Sequence, residues 1–216
     1  MLDVASQMGY WDGVAQEKRF SHPLRREWLA GRLDQRARVL DYGCGYGRTL
    51  AELRRAGYQR IVGVDFSQAM LARCRLEVAG VSLIRNDGRT LPFRDDSLDA
   101  ALLFATLTCI PQNEAQRALI AEIERVLRPS GLLYVSDLLL NEDERNRQRY
   151  ERDADLYGVF GVFRLPEGVV VRHHSREWIR DLTGSFTELS YEPFSVTTMN
   201  GNRSAAFQYL GQKRGI

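Results

Sequence analysis

Short apolar runs alternate along this chain with longer stretches in which apolar residues recur three or four positions apart. Val39-Leu40, Ile61-Val62-Gly63-Val64, Val81 to Ile84, Ala100 to Ala105 and Leu132 to Val135 are too short for buried helices and read as strands. Between them lie three helical patterns. One runs from the glycines after Leu40 through Leu50, Leu53 and Ala56. The second starts at Ser67, a good N-cap, and stops at Gly80. The third runs from Gln112 to Leu127, turns Ala115, Leu119, Ile123 and Leu127 to one side, and stops at Arg128-Pro129-Ser130-Gly131. Strand–helix alternation of this kind predicts a parallel sheet with helices on both faces. Ala100 to Ala105 has no polar interruption, so it is expected as a central strand buried on both sides.

The flanks follow other patterns. Before the first strand, Trp11, Phe20, Leu24, Trp28, Leu29 and Leu33 have helical spacing, broken by a turn at Ser21-His22-Pro23. This predicts an N-terminal helical cap over residues 1–34, with Tyr10, Trp11, Lys18, Phe20 and His22 closing over a pocket. After the fifth strand, Asn141 to Asp155 is dense in both charges and reads as a solvated helix. Leu156 to Phe163 then turns apolar and aromatic and is expected to be buried as a loop or hairpin lining a pocket. Val169 to His174 is strand-like, Ser175 caps a helix through Trp178, Ile179 and Leu182, and two strands close the chain around the turn Met199-Asn200-Gly201-Asn202. The reading is one domain over residues 1–216, with residues 1–34 as its cap and 141–174 as a lid-like insertion.

Composition narrows the function. The 216 residues carry a formal charge of only +2, and their basic residues are interspersed with carboxylates, which favours neither a nucleic-acid nor a membrane partner. No apolar stretch approaches the length of a membrane helix, and no basic-then-apolar leader opens the chain. The three cysteines, Cys44, Cys74 and Cys109, are odd in number and form no Cys-x-x-Cys pair, so a reducing, cytoplasmic setting is expected. Nothing in the sequence bears on oligomeric state.

The candidate chemistry centres on Asp41-Tyr42-Gly43-Cys44-Gly45-Tyr46-Gly47, a glycine turn at the carboxyl end of the first strand. Glycines there let the backbone turn sharply and a ligand approach closely. The second strand ends in Asp65, placed to accept both hydroxyls of a ribose. A dinucleotide turn needs Gly-x-Gly-x-x-Gly, and Arg48 stands where its last glycine would be. With Gly63-Val64-Asp65-Phe66-Ser67, Asn86-Asp87-Gly88, Leu91-Pro92-Phe93, Ser97-Leu98-Asp99-Ala100 and Leu127-Arg128-Pro129-Ser130-Gly131, this stretch resembles the class I S-adenosylmethionine-dependent methyltransferases over about Arg38 to Asp137.

The resemblance implies a Rossmann-like, seven-stranded, mostly parallel α/β sheet with one antiparallel strand. It implies S-adenosyl-L-methionine as cofactor, with Asp41 and the loop Gly43, Cys44, Gly45 and Gly47 along its methionine part. Asp65 would hold the ribose, Phe66 would flank the adenine, and Asp87 with Gly88 would meet its edge. Asn86 departs from the glycine of many relatives. Tyr10 and Trp11 would close over the cofactor, and Phe104, just past the central strand, would border the transferred group.

Methyl transfer to oxygen usually needs a base, and His22, His173 and His174 are the only histidines. Adjacent strand residues face opposite ways, so one of His173 and His174 at most enters the pocket. His22 and His173 are the catalytic candidates. No metal site is expected, because no cysteine or carboxylate stands beside them at ligand spacing. Lys18, Arg19 and Arg172 hint at an anionic acceptor. The expected partner is a small-molecule methyl acceptor. The alternatives are a nicotinamide-dependent oxidoreductase and a non-catalytic protein that binds S-adenosylmethionine.

Overall fold

The short apolar runs pair side by side in the computed structural model of the chain, which describes residues 4–86 and 90–215. In chain order the strands are β1 (Arg38–Tyr42), β2 (Arg60–Asp65), β3 (Ser82–Arg85), β4 (Leu98–Phe104), β5 (Leu127–Leu138), β6 (Val162–Arg164), β7 (Val170–Arg172), β8 (Phe186–Thr197) and β9 (Arg203–Lys213). Seven of them form one sheet in the order β3-β2-β1-β4-β5-β9-β8, and β6 and β7 form a separate antiparallel ribbon. β9 is antiparallel to both neighbours, so it alone runs against the rest of the large sheet. The helices are α1 (Val4–Gly13), α2 (Arg26–Leu29), α3 (Arg48–Arg55), α4 (Gln68–Glu77), α5 (Asn113–Val126), α6 (Glu144–Tyr157) and α7 (Arg176–Leu182).

The two-residue period of the strands divides the core. Val39, Ala100, Leu102, Leu132 and Tyr134 face the side covered by Leu29 of α2, Leu50 and Leu53 of α3 and Leu71 of α4. Their neighbours Leu40, Ala101, Leu103, Leu133 and Val135 face Leu119 and Ile123 of α5 and Ile179 and Leu182 of α7. Every residue of β4 is buried, as its unbroken apolar run predicts. Side-chain caps set the helix starts. Ser67 Oγ accepts from Met70 N at 3.1 Å, and Ser175 Oγ accepts from Trp178 N at 3.1 Å.

Four expectations need correction. β5 begins at Leu127 rather than Leu132, because the chain leaves α5 extended, pairs Leu127 with Leu98, and shifts register around Ser130. Residues 18–25 are irregular rather than a single tight turn. α6 is not a purely solvated helix, because Asn146, Tyr150 and Asp153 are buried on one face. In the segment that follows, α6 ends at Gly158 in the left-handed region, and only Gly161, Val162 and Phe163 turn inward. Val162 and Phe163 are buried, but Leu156 and Phe160 are 71% and 56% exposed.

Candidate functional site

Strand order reverses between β1 and β4, and chain segments leave the carboxyl ends of both strands there. Such a switch point opens a crevice in an open α/β sheet. A cavity of about 500 Å³ occupies it, within the usual range for a small-ligand site. Its floor is Tyr42, Gly43 and Gly45 after β1, Asp65 and Phe66 around the end of β2, and Phe104 to Thr106 after β4. Gln7, Trp11, Phe20 and His22 close one side. Arg145, Arg149, Phe163 and His173 form another wall, and the β8–β9 turn contributes Thr198 to Asn200.

Asp65 builds the glycine loop as well as facing the cavity. Its Oδ2 accepts from Gly45 N at 2.8 Å and its Oδ1 from Ser67 N at 2.8 Å. The Phe66 amide bonds the same carboxylate. Burial raises the Asp65 pKa, and those amides oppose the rise. A Cβ on Gly43 would stand 2.6 Å from Thr106 Oγ1, and one on Gly45, at φ 53°, would stand 2.7 Å from the Phe20 ring. Both positions therefore need glycine.

Other members of the loop lie under it rather than on the cavity wall. The Cys44 side chain packs toward Gly63 of β2 and the Cys74 thiol, and Gly47 lies against Cys74 of α4 and Val78 just past its end. Asp41 is buried below the loop, its Oδ2 without a partner among the described residues. Burial pushes its pKa up to about 7, with Arg48 opposing. Below about pH 4 the carboxyl is protonated in folded and unfolded chains alike. Between about pH 4 and 7 only the unfolded chain releases the proton, so this group makes stability fall as pH rises through that window. Asp41→Asn is expected to remove the penalty. In urea unfolding, its stability relative to the parent should rise on the order of 1–3 kcal/mol between the two ends of the window. A constant difference across pH would contradict the assignment.

The N-terminal segment is tied down on three sides. Asp12 Oδ1 accepts from Ser67 Oγ at 2.6 Å and Ala69 N at 3.0 Å, which lowers the Asp12 pKa. Arg73 stacks on the Tyr46 ring at 3.9 Å and donates to Ala15 O and Lys18 O. Phe20 stacks on Tyr46 with ring centroids 5.1 Å apart. Lys18 Nζ donates to Asn200 Oδ1 at 2.7 Å, and Ser21 Oγ donates to Thr197 O, joining the segment to the β8–β9 turn. Gln7 Nε2 donates to Val170 O at 2.8 Å, joining α1 to the β6–β7 ribbon. Tyr10 stands behind the wall, between Trp11 and the cluster of Tyr150 and Phe163. Trp11 Nε1 and Gln7 Oε1 are buried without partners among the described residues.

The histidines separate as strand geometry requires. His174 is inside the core, 2.9 Å from Gln116 Nε2, while His173 lines the cavity. Tyr150 Oη accepts from Asn141 N at 3.2 Å and lies 2.6 Å from His173 Nδ1. Asn141 Nδ2, a donor, is 3.3 Å from the same nitrogen. The two Nδ2 hydrogens of Asn141 have nearer acceptors in Leu139 O at 2.8 Å and Ser204 Oγ at 3.0 Å, so the donor to Nδ1 is the Tyr150 hydroxyl, and with Nδ1 accepting from it neutral His173 carries its proton on Nε2. Burial, then Arg149 and Arg145, lowers its pKa to about 3. His22 also lines the cavity, with Nδ1 2.9 Å from Ser136 Oγ and a pKa lowered by burial to about 4. Both rings are neutral near pH 7.

Of the remaining candidates, Trp11, Gly43, Gly45, Asp65, Phe66 and Phe104 share the cavity, and Asp87 and Gly88 lie outside the described residues. Arg172 is buried, donating to Pro111 O and Asn113 Oδ1, and is not on the cavity wall. Arg145, Arg149, Gln7 and the β8–β9 turn were not singled out from sequence. The i, i+4 spacing of Arg145 and Arg149 put them on one helix face, but it does not say what that face meets. Among the described residues no group of three or more His, Cys, Asp or Glu could hold a metal ion, and no helix is long and apolar enough to cross a membrane.

Comparison with known proteins agrees with this geometry. A family model described as a methyltransferase domain matches residues 40–135. The phthiotriol/phenolphthiotriol dimycocerosates methyltransferase 1 of Mycobacterium ulcerans is 33% identical over 124 residues, covering 56% of this chain and 43% of that protein. The O-methyltransferase rstn1 of Aspergillus nomiae is 29% identical over 164 residues, covering 70% of this chain and 71% of that one. The chain spans less than half the length of the first curated relatives that it matches. A solved S-adenosylmethionine-dependent methyltransferase of Methanosarcina mazei superposes with a TM-score of 0.80 at 25% identity, over 87% of this chain and 97% of that one.

Proposed function

We propose that this chain, which belongs to the class I S-adenosylmethionine-dependent methyltransferases, transfers a methyl group to a small molecule bound between α6, the β6–β7 ribbon and the N-terminal segment. The observation that carries the reading is the Asp65 carboxylate. It is buried at the cavity edge, locked to the Gly45 and Ser67 amides, and faces the cavity at the tip of β2, where a ribose would present its hydroxyls. The surroundings fit the cofactor. Gly43 and Gly45 line the cavity where its methionine part would lie, with Thr106 and Phe20 packed against them, and Phe66 stands next to Asp65 for the adenine. Trp11 Nε1 and Gln7 Oε1 offer buried groups that still lack partners.

The cofactor supplies a methyl group already activated on a sulfonium, and the carbon–sulfur electron pair stays with sulfur as a thioether. The protein's part is to hold the acceptor in line and exclude water. Positioning of this kind is worth roughly 7–11 kcal/mol of barrier. Trp11, Phe20 and Phe104 exclude water on the donor side. An acceptor hydroxyl or amine loses its proton as its lone pair bonds to the methyl carbon. His22, neutral near pH 7, takes that proton. His173 presents Nε2–H and so donates a hydrogen bond to the acceptor rather than serving as its base.

The cap of residues 1–34 and the insertion of 141–174 are one closing device over a single domain. The protein works in the cytoplasm, without nucleic acid or membrane partners. Transfer of labelled methyl from S-adenosylmethionine to a panel of phenols, thiols, amines and carboxylic acids tests the reading. His22→Ala is expected to lower turnover at least about tenfold while changing affinity for S-adenosylhomocysteine less than about twofold. Equal losses of turnover and affinity would make His22 part of the cofactor site instead.

A further inference from the structure

The wall formed by α6 and β7 presents hydrogen-bond donors to the cavity. Arg145 and Arg149 are one helical turn apart and both line it. Arg149 lies over the Phe163 ring at 5.5 Å and has no carboxylate partner among the described residues. Arg145 has only the distant Asp143, with Nε to Oδ1 at 3.8 Å. Burial, followed by the neighbouring charges of Arg145 and Arg152, lowers the Arg149 pKa, with Asp143 opposing. His173 adds Nε2–H, because the Tyr150 hydroxyl, 2.6 Å away, donates to its other nitrogen. Asn146 donates its amide N–H to Asp143 Oδ2 at 2.6 Å and leaves its Oδ1 without a partner among the described residues, a single neutral acceptor against two guanidinium groups. Glu167 is the acidic side chain lining this end, one carboxylate against two guanidinium groups, and no ion pair joins it to either arginine among the described residues. The remaining surface here is apolar: Ile110, Phe163, Leu165 and Val171.

We propose that Arg145 and Arg149 form an oxyanion-binding subsite for the methyl acceptor, which is therefore an amphipathic small molecule carrying a carboxylate or similar group on an apolar body. The inference rests on the methyltransferase reading and names its substrate class. A guanidinium pair with an imidazole N–H matches a ligand group that only accepts hydrogen bonds. Phe163 and Leu165 receive the body. Filling the subsite with an anion also screens the two charges that, after burial, hold down the His173 pKa.

The test uses phenyl-bearing probes that differ in charge, benzoate and benzamide being isosteric. Benzoate, phenyl phosphate and benzamide are titrated into the full chain with and without S-adenosylhomocysteine, and the titrations are repeated on Arg145→Gln, Arg149→Gln and the double variant. Circular dichroism confirms that each variant is folded, and Arg149→Lys serves as a milder variant that keeps the charge. Benzoate is expected to bind at least about tenfold tighter than benzamide. The preference should fall severalfold in each single variant, vanish in the double variant and survive in part in Arg149→Lys. The ratio for phenyl phosphate separates a phosphate-bearing acceptor from a carboxylate-bearing one. Equal affinity for benzoate and benzamide, or a preference that survives the double variant, would overturn the inference. So would a tenfold loss of S-adenosylhomocysteine affinity in the variants, which would assign the arginines to the cofactor's own carboxylate. Failure of the parent chain to bind S-adenosylhomocysteine would instead count against the methyltransferase reading, and the charge preference would still be read from the titrations without it.

Discussion

Asp65→Ala is expected to weaken binding of S-adenosylhomocysteine at least about a hundredfold. Two ribose hydroxyls donating to a buried carboxylate contribute about 1.5–3 kcal/mol each, and about 1.4 kcal/mol is a factor of ten. The same change strips acceptors from Gly45 N and Ser67 N. Leaving those buried amides unpaired costs about 1–3 kcal/mol apiece, so the melting temperature should fall as well. The structure shows that binding and loop stability share one side chain. Affinity is read by calorimetry on protein confirmed as folded, and affinity within about threefold of the parent would remove Asp65 from the cofactor site.

Gly45→Val is expected to abolish measurable cofactor binding, for a reason that involves the lid. The residue has φ 53°, where a side chain costs about 1–2 kcal/mol and a β-branched one more. Its Cβ would stand 2.7 Å from Phe20 Cε2. The ring must leave its stack on Tyr46, and the N-terminal segment is displaced from the glycine loop. Gly158→Ala separates the two effects, because Gly158 is also left-handed, at φ 64°, and nothing lies near its added Cβ. That variant should lose stability and keep its affinity. If Gly45→Val binds normally, neither the loop nor its contact with Phe20 borders the ligand.

The parts of this molecule that depend on neighbours in sequence were legible before the fold. Short apolar runs predicted the strands, and the caps at Ser67 and Ser175 bond as their positions suggested. The glycine turn and Asp65 were recognisable because a nucleoside site is assembled from consecutive strand ends. The acceptor side was not. A helix with charges at i and i+4 has the same pattern whether that face meets water or a cavity, so Arg145 and Arg149 passed as solvated. The turn around Asn200 reaches the site only because β9 places β8 at the sheet edge, a pairing that spacing does not encode. Tyr10 and Trp11 are equally aromatic in sequence, and only the docking of α1 on α4 through Asp12 decides that Trp11 faces the cavity and Tyr10 the ribbon behind it.

The central claim is that the cavity at the switch point takes an adenosyl amino acid and not a dinucleotide. Calorimetric titration of the full chain with S-adenosylhomocysteine, NAD and NADP under one set of conditions tests it most directly. The account predicts saturable binding of one S-adenosylhomocysteine per chain and no heat of binding from either dinucleotide. Saturable binding of NAD or NADP with none of S-adenosylhomocysteine would contradict it.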